Sequence, residues 1–243
     1  INIVLTDLSS FNLTDSKPVE FTGYDELKSE AKIIGIKKEG NSNLIVLDRT
    51  PFYVEAGGQI DDVGKIIAPS TEIEIVDVTK VESAVIHISE NSTAELLQPG
   101  MSVIAEVDEK RRWDIMRNHS ATHFLHKALR TILGTHVQQA GSYVGPDRLR
   151  FDFTHFARLS PEEIHDIETL VNEQLRRNLP LIHHRNIPFE EAKKMGALMF
   201  FGDKYGDRVN VVQFGDFTME FCGGTHVKNS SQIGLFKIIS EQS

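Results

Sequence analysis

The sequence predicts an α+β fold, in which a small N-terminal β-barrel precedes an α+β core built from an antiparallel sheet and packed helices. Short apolar runs with a period of two fill the first half of the chain, and the second half adds segments with helical periodicity. The length of 243 residues suits two domains. We expect a tether over residues 1–20, the barrel domain over 21–108 and the core over 109–243.

The predicted barrel rests on five short apolar runs in the first half of the chain. Their alternation of apolar and polar residues, as at Glu72 to Ile75, places one face of a run in a core. Glycines and prolines separate the runs, and many short strands with this spacing are typical of small barrels. The runs are Ala31–Ile36, Asn43–Leu47, Thr71–Val78, Ser83–Ile88 and Ser102–Val107.

The core is predicted to contain a helix that begins after Ser160. This serine is a good N-cap, Pro161 suits the first helical turn, and Glu163 completes a capping box. Apolar residues at helical spacing then continue to about Arg177, so the helix presents one apolar face.

An earlier helix in the core is predicted through Phe124 to Ile132, with Gly134 at its end and Asn118 as a candidate N-cap. After it, Thr135–Val144 and Leu149–Phe156 alternate like strands, and the four residues between them favour a turn. These two runs therefore predict a β-hairpin.

Composition and charge limit the classes of protein to which this chain can belong. A hydrophobic fraction of 40% and a charged fraction of 25% exclude a disordered chain, and no apolar run is long enough to span a bilayer. The net charge of −9 argues against a nucleic-acid partner, yet residues 1–108 carry −11 and residues 109–243 carry +2. The second half can therefore still present a basic face to a polyanion.

The single cysteine bears on the cellular compartment, and the chain ends bear on whether this is a piece of a longer protein. Cys222 cannot form a disulfide within the chain, which favours a reducing, cytosolic compartment. The lack of a long apolar run leads us to expect no membrane partner. The chain begins without Met and ends at Ser243 without an obvious stop. We therefore expect an excised piece of a longer protein.

Two short motifs carry residues that bind transition metals. His119 and His123 lie four residues apart in the predicted helix, so their imidazoles project side by side. His126 lies on the same helical face, and spacing alone does not exclude it as a ligand. In the second motif, Cys222 and His226 flank paired glycines that let the chain turn sharply.

Either motif alone is weak, but together they supply nitrogen and sulfur donors that suit tetrahedral Zn²⁺. Ser120 stands where the metalloprotease helix has its glutamate, which excludes that class. No second cysteine follows Cys222, so neither a zinc finger nor a nucleobase deaminase site can form. Zinc is therefore the expected cofactor, at a site of another class.

A glycine-rich stretch from Asp48 to Gln59 is a third motif, either a plain strand-turn-strand or a loop whose backbone approaches a ligand. Together with this stretch, Asn118 to His123, Gln139 to Phe153 and Cys222 to His226 resemble the editing domain of alanyl-tRNA synthetase. The motifs occur in the family's order, and the resemblance extends from about Phe21 to Ile239. Since the family's aminoacylation and C-terminal oligomerising parts have no counterpart here, the chain resembles an isolated editing module.

This resemblance implies hydrolytic proofreading, as part of a larger ATP-dependent ligase of the cytoplasm. The ester that joins serine or glycine to the 3′ end of alanine-specific tRNA, tRNA(Ala), would be cleaved. Gln139 matches a position that the family uses in editing. The implied zinc ligands are His119, His123, Cys222 and His226. The glycine-loop residues implied in substrate binding are Gly57, Gly58 and Gln59.

Proofreading needs a second site because a synthetic pocket for alanine admits glycine and rejects serine only about a hundredfold. An editing pocket does better by hydrogen-bonding the serine hydroxyl, and Gln139, Thr122 and Ser142 are the candidate partners. Glu220 is the candidate catalytic base, or else a residue that supports a metal ligand. A single-stranded RNA end also needs cations along its path. The candidates are Arg111, Arg112, Arg117, Lys127, Arg130 and Arg150.

Three other functions fit the same motifs. The editing domain of threonyl-tRNA synthetase shares the His-x-x-x-His and Cys-x-x-x-His pairs. Its second motif is similar to Cys-x-Gly-Pro-His, however, with proline before the last histidine, where this chain has Thr225 before His226. A free-standing trans-editing deacylase is the second alternative. The third is a non-catalytic, zinc-stabilised RNA-binding module, which would bind tRNA without hydrolysing an ester.

Overall fold

The chain folds as two compact units, described here from a computed structural model over residues 8, 11, 13, 18–200 and 205–242. The first unit comprises Ile1–Ala56 and Ile60–Arg112, and the second comprises Gly57–Gln59 and Trp113–Ser243. Gly57–Gln59 thus group with the second unit, and the domain bounds predicted from the sequence stay a prediction. The predicted tether over residues 1–20 lies largely outside the described residues.

The described part of the first unit is dominated by one seven-stranded sheet in which every neighbouring pair is antiparallel. The strands of the first unit, of which β1 and β4 lie outside the large sheet, are β1 (Glu20–Phe21), β2 (Lys28–Glu39), β3 (Ser42–Leu47), β4 (Arg49–Thr50), β5 (Gly64–Ala68), β6 (Thr71–Ile75), β7 (Asp77–Val81), β8 (Ala84–Ser89) and β9 (Ser102–Val107). The order across the large sheet is β6-β5-β9-β2-β3-β8-β7, and β1 and β4 form a separate parallel pair.

The strand predictions hold in outline, with one clear error. The predicted run Thr71–Val78 is not one strand, because the chain ends β6 at Ile75 and begins β7 at Asp77 on the opposite edge of the sheet. Strand β5 was not predicted. Antiparallel sheets with few helices agree with the predicted α+β class, but no ladder joins β6 to β7 among the described strands, so barrel closure stays a prediction.

Strand β3 is buried along its whole length because cores cover both of its faces. Ile45 and Leu47 belong to one apolar cluster, whereas the alternate residues Leu44 and Val46 belong to another. Leu8 packs in the second cluster, so at least this part of the predicted tether is anchored to the sheet. The short apolar run therefore predicted the strand, while its burial on both faces is a consequence of the fold.

Arg112 is a fully buried charge in the first unit. Its guanidinium donates to both carboxylate oxygens of Asp62, with Nε at 3.0 and 3.1 Å, and to the carbonyls of Gly23 at 2.8 Å and Pro51 at 2.7 Å. Both charged side chains are fully buried, so the pair replaces water with an internal network. Arg112 is therefore unavailable to RNA, and the prediction that it lines an RNA path is wrong.

The described part of the second unit contains a hairpin, a three-stranded sheet and the helices that pack on them. The hairpin pairs β10 with β11, and the sheet order is β12-β13-β14. The elements are α1 (Glu109–Ile132), β10 (Gln139–Val144), β11 (Leu149–Phe153), α2 (Pro161–Arg176), β12 (Leu181–Pro188), α3 (Phe189–Lys194), β13 (Arg208–Phe214) and β14 (Thr218–Phe221). Strands β12, β13 and β14 had no clear sequence signal.

Helix α2 and the hairpin follow their predictions, but α1 does not. The side chain of Ser160 accepts from the backbone N–H of Glu163 at 3.2 Å, and the capping box is complete. Asn118 does not cap a helix, because α1 already begins at Glu109. Its side chain donates instead to the carbonyl of Gly145 at 2.7 Å, in the hairpin turn.

An apolar cluster fixes α1 in the second unit. Phe124 and Leu129 of α1 meet Val171 of α2 and Phe214 of β13 in one buried cluster. This packing holds the histidine-bearing turn of α1 in place. None of the described helices combines the length and the apolar character that crossing a bilayer would demand.

Candidate metal centre

Four side chains that can bind a metal ion meet in the second unit. His119 and His123 lie one turn apart on α1, and Cys222 and His226 follow β14. One donor atom from each lies within 4.8 Å of the others. The three imidazoles are buried and the thiol is half-buried. The structure thus brings together the residues of two motifs that lie about a hundred positions apart in the chain.

The sulfur of Cys222 lies at the centre of these contacts. Its Sγ is 3.4 Å from Nε2 of His119 and 3.2 Å from Nε2 of His226. The backbone N–H of Gly224 also donates to it, at 3.4 Å. Burial alone would raise the pKa of Cys222, but the surrounding imidazoles outweigh burial and hold that pKa well below its usual range. The sulfur is therefore held as a thiolate, the form that binds metals.

Gln59 fixes the orientation of His119. Its Oε1 accepts from Nδ1 of His119 at 2.7 Å and from the backbone N–H of Thr225 at 2.9 Å, while its Nε2 donates to Oγ1 of Thr225 at 2.9 Å. The backbone donor settles which end of the amide is the oxygen. Nδ1 of His119 therefore carries the proton, and its Nε2 lone pair is directed at the other three donors.

Gly224 leaves the space in which this contact forms. A Cβ at this position would lie 2.1 Å from Cε1 of His119 and 2.8 Å from Oε1 of Gln59. Both distances are far below contact, so a side chain here would push the imidazole out of place. The paired glycines of the motif thus serve close approach at Gly224, and not only the turn that we expected.

Ser120 on α1 contacts the second ring nitrogen of His226, as Gln59 does for His119. Oγ of Ser120 lies 3.2 Å from Nδ1 of His226 and accepts from the backbone N–H of Val227 at 3.1 Å. Burial lowers the pKa of His226 to about 3, although Cys222 acts in the opposite direction. This imidazole is therefore neutral and free to bind a metal through Nε2.

Glu220 supports the remaining histidine and connects it to His126. One carboxylate oxygen of Glu220 accepts a short hydrogen bond from Nδ1 of His123, and the other accepts from Nδ1 of His126 at 2.9 Å. Burial alone would raise the pKa of Glu220, but the two histidines lower it to about 2. For His123 burial acts in the opposite direction and alone would lower the pKa, yet Glu220 and Cys222 together raise the pKa of His123 to about 10.

Besides the types of donor atom, an unpaired nitrogen in the cluster also indicates that a metal ion fits there. Nε2 of His123 is buried and has no hydrogen-bond partner in the described part of the chain, although Nδ1 of the same ring is bound to Glu220. A buried polar atom without a partner is costly, and a cation beside Cys222 would satisfy it. The cluster of His119, His123, Cys222 and His226 can therefore hold a metal ion.

The glycine loop of the second unit contacts the hairpin. Gly58 has a φ of +83°, and a Cβ there would lie 2.2 Å from Oγ of Ser142. Its carbonyl accepts from the backbone N–H of Val144 at 2.7 Å, and Gln59 bridges to the same residue. Gly57 has a φ of +59° and is exposed. The loop thus places Ser142 next to the residue that holds His119.

The predicted substrate-binding residues Gln139, Ser142 and Thr122 make different contacts. Nε2 of Gln139 donates to Oγ of Ser142 at 3.3 Å, which makes them one polar pair. The hydroxyl of Thr122 donates to the carbonyl of Asn118 at 2.9 Å, along its own helix. Sequence reasoning did not find the supporting role of Ser120 on His226. A single signal pointed to it, namely its position next to His119 within the motif.

Two family models match the chain. The model "tRNA synthetases class II (A)" matches residues 4–111, and "Threonyl and Alanyl tRNA synthetase second additional domain" matches residues 209–243. The second match contains Cys222 and His226. Both models describe parts of aminoacyl-tRNA synthetases, which is the class of protein that the two ends of the chain resemble.

Similar full-length proteins narrow this class. The chain is 47% identical over 239 residues to the alanine–tRNA ligase of Acetivibrio thermocellus, which covers 94% of the chain and 27% of that relative. The ligase of Bacteroides fragilis is 49% identical over 228 residues, with 92% and 26% covered. The chain belongs to the alanine–tRNA ligase family, and it spans about a quarter of the length of the curated relatives it matches.

Proposed function

We propose that this chain is the proofreading part of an alanine–tRNA ligase and hydrolyses the ester of seryl- or glycyl-tRNA(Ala). The observation that carries the proposal is the convergence of His119, His123, Cys222 and His226, in a chain of this family. The second family model is named for a domain of the threonyl and alanyl enzymes. A cytosolic location accords with the single unpaired thiol of Cys222.

We propose zinc as the resident metal. Three imidazole nitrogens and one thiolate are donors that Zn²⁺ prefers, and the half-buried thiol leaves one side of the cluster open to solvent. When bound, zinc supplies a Lewis acid that polarises an ester carbonyl or acidifies water. Gln59, Ser120 and Glu220 each bind the second nitrogen of one histidine, and they hold the ligands in register.

Glu220 is a positioning residue in this proposal, and not a general base. Both of its oxygens accept hydrogen bonds from buried imidazoles, and a pKa of about 2 makes its carboxylate a poor proton acceptor near neutral pH. Gln139 and Ser142 form the substrate-binding pair, since their polar groups lie beside Gly58 at the loop. Thr122 is the weaker candidate, because its hydroxyl proton is already donated to α1.

The RNA partner is the single-stranded 3′ end of tRNA(Ala). Four of the predicted cations lie in the second unit on α1 or β11, where they are at least partly exposed and available to phosphate. Three of them also make internal contacts, as Arg130 does with the carbonyls of Thr135 and Val137. The four are Arg117, Lys127, Arg130 and Arg150.

Deacylation of three purified esters tests the function. The wild-type chain should cleave seryl- and glycyl-tRNA(Ala) and spare alanyl-tRNA(Ala). His123→Ala should lower the first two rates by about 100-fold or more, because it removes a metal ligand. His165→Ala, at an exposed position on α2, is the matched control and should act like wild type. Equal rates for His123→Ala and wild type would remove the metal centre from the reaction.

The same assay separates the alternative functions. A non-catalytic RNA-binding module would bind tRNA(Ala) and hydrolyse none of the esters. An enzyme of the threonyl type would cleave seryl-tRNA of threonine specificity in preference to seryl-tRNA(Ala). A trans-editing deacylase would differ from a ligase segment by reaching full activity without any further part of a synthetase.

A further inference from the structure

His126 is a buried histidine of α1 that the metal cluster does not use. It is only 2% exposed, and among the residues that the structure describes its Nε2 has no hydrogen-bond partner. Its Nδ1 lies 2.9 Å from Oε1 of Glu220, an acceptor, so Nδ1 carries a proton, and in the neutral form of the ring the lone pair lies on Nε2. Burying an acceptor without a partner is costly, which points to a ligand group that completes it.

The ring contacts of His126 place it on the same face of the hairpin as Ser142. Its ring packs against Phe151 at 5.1 Å and Phe200 at 5.9 Å between centroids. Phe151 is the cross-strand partner of Ser142, and directly opposed residues project on the same face of an antiparallel pair. His126 and Ser142 therefore border the same side of the hairpin.

The distance from the metal cluster also suits a substrate side chain. His126 follows His123 by three residues on α1, which is a rise of about 4.5 Å, and both rings are bound to the same carboxylate. The side chain of an aminoacyl ester held at the cluster spans a distance of this order.

We propose that Nε2 of His126 accepts the hydrogen bond of the serine hydroxyl and so selects seryl-tRNA for hydrolysis. This inference rests on the proposed function, of which it names the specificity-determining residue. Gln139 and Ser142 keep their proposed place in substrate binding, but they already bind each other, and the hydroxyl of Thr122 donates to its own helix, so Nε2 of His126 is the better partner for the serine hydroxyl. Glycine places no group near Nε2, whereas the methyl group of alanine would meet an unpaired nitrogen.

Two substitutions separate this role from mere support of Glu220. His126→Asn keeps a donor where Nδ1 contacts Glu220 but removes the outer acceptor. His126→Gln keeps an acceptor near the position of Nε2 but loses the contact with Glu220. For each variant, kcat/KM is measured on seryl- and glycyl-tRNA(Ala), and bound zinc is quantified.

We expect His126→Asn to lower the seryl-to-glycyl ratio of kcat/KM by about tenfold or more, because the hydroxyl loses its partner. His126→Gln should lower both rates together and preserve more of the ratio. The proposal is overturned if His126→Asn retains the wild-type ratio with full zinc content. Wild-type protein that hydrolyses neither ester would refute the proposed function, and the next measurement would still decide the role of His126.

A measurement on the wild-type chain covers variants that do not fold. ¹⁵N-histidine-labelled protein is titrated with 3′-seryl-amino-3′-deoxyadenosine, a non-hydrolysable amide, and with its glycyl counterpart. The Nε2 resonance of His126 should shift with the seryl compound and stay in place with the glycyl compound. Equal shifts with both compounds, or no shift with bound seryl compound, would exclude the hydrogen bond.

Discussion

Replacing Gln59 by leucine tests whether the glycine loop holds a metal ligand. The side chain of Gln59 is fully buried, and its oxygen accepts from Nδ1 of His119 and the backbone N–H of Thr225. Leucine has a similar volume but leaves both donors buried without an acceptor. Each unsatisfied group costs about 1–3 kcal/mol, so Gln59→Leu should destabilise the chain by about 2–6 kcal/mol.

The effect on metal binding is the sharper readout of the same substitution. Without the acceptor, His119 is free to rotate or to change tautomer, and loss of such a partner lowers metal affinity by about 10–100-fold. Competition with a chromophoric zinc chelator measures the affinity, and chemical denaturation measures the stability. Gln59→Glu keeps an acceptor for both donors, so it should retain more affinity than Gln59→Leu.

An exposed glutamine supplies the control. Gln138→Leu, at an exposed position before β10, should bind zinc as the wild type does. If Gln59→Leu also binds zinc with wild-type affinity, the hydrogen bond to His119 does not position the ligand. A loss of stability without a loss of affinity would assign Gln59 a packing role alone.

Three further predictions follow from the geometry. Gly224→Ala should weaken zinc binding at least as strongly as Gln59→Leu in the chelator assay, because its Cβ must displace His119 by about 1 Å; unchanged affinity would contradict this. The pKa of His123 is about 10 without metal, so this imidazole holds an extra proton near neutral pH. Zinc binding should therefore release about one proton, and the affinity for zinc should increase with rising pH up to about 10. Calorimetry in buffers of different ionisation enthalpy measures this, and no proton release would refute it. Arg112→Met should lower the free energy of unfolding by about 3–5 kcal/mol in urea, as Asp62 is left buried and unpaired; a loss below about 1 kcal/mol would show that the pair is dispensable.

Local sequence signals predicted the elements whose causes are local. The capping box at Ser160 and the hairpin across Gly145 depend on residues within a few positions of each other, and both predictions are confirmed. The start of α1 was wrong because Asn118 is a good cap only where a helix begins. Its side chain binds the carbonyl of Gly145, a contact that helical periodicity does not contain.

The residues that support the metal ligands lay beyond such signals. Glu220 was a candidate because of its position near Cys222, but its two oxygens could not be assigned to His123 and His126 from spacing. Gln59 was expected to bind substrate through a loop of the first domain, and instead its side chain holds His119. These contacts join residues that are 60 to 97 positions apart.

By itself the sequence determined the donor types, the helical spacing of His119 and His123, and the two motifs that together suit zinc, because these depend on residue chemistry and local geometry. Only the tertiary structure decided which nitrogen of each imidazole is free, since Gln59, Ser120 and Glu220 reach the rings from distant elements. It also set His126 apart from the ligands, with Nδ1 bound to a carboxylate and Nε2 unpaired. Spacing along a helix defines a face, whereas the partners across that face define the chemistry of each side chain.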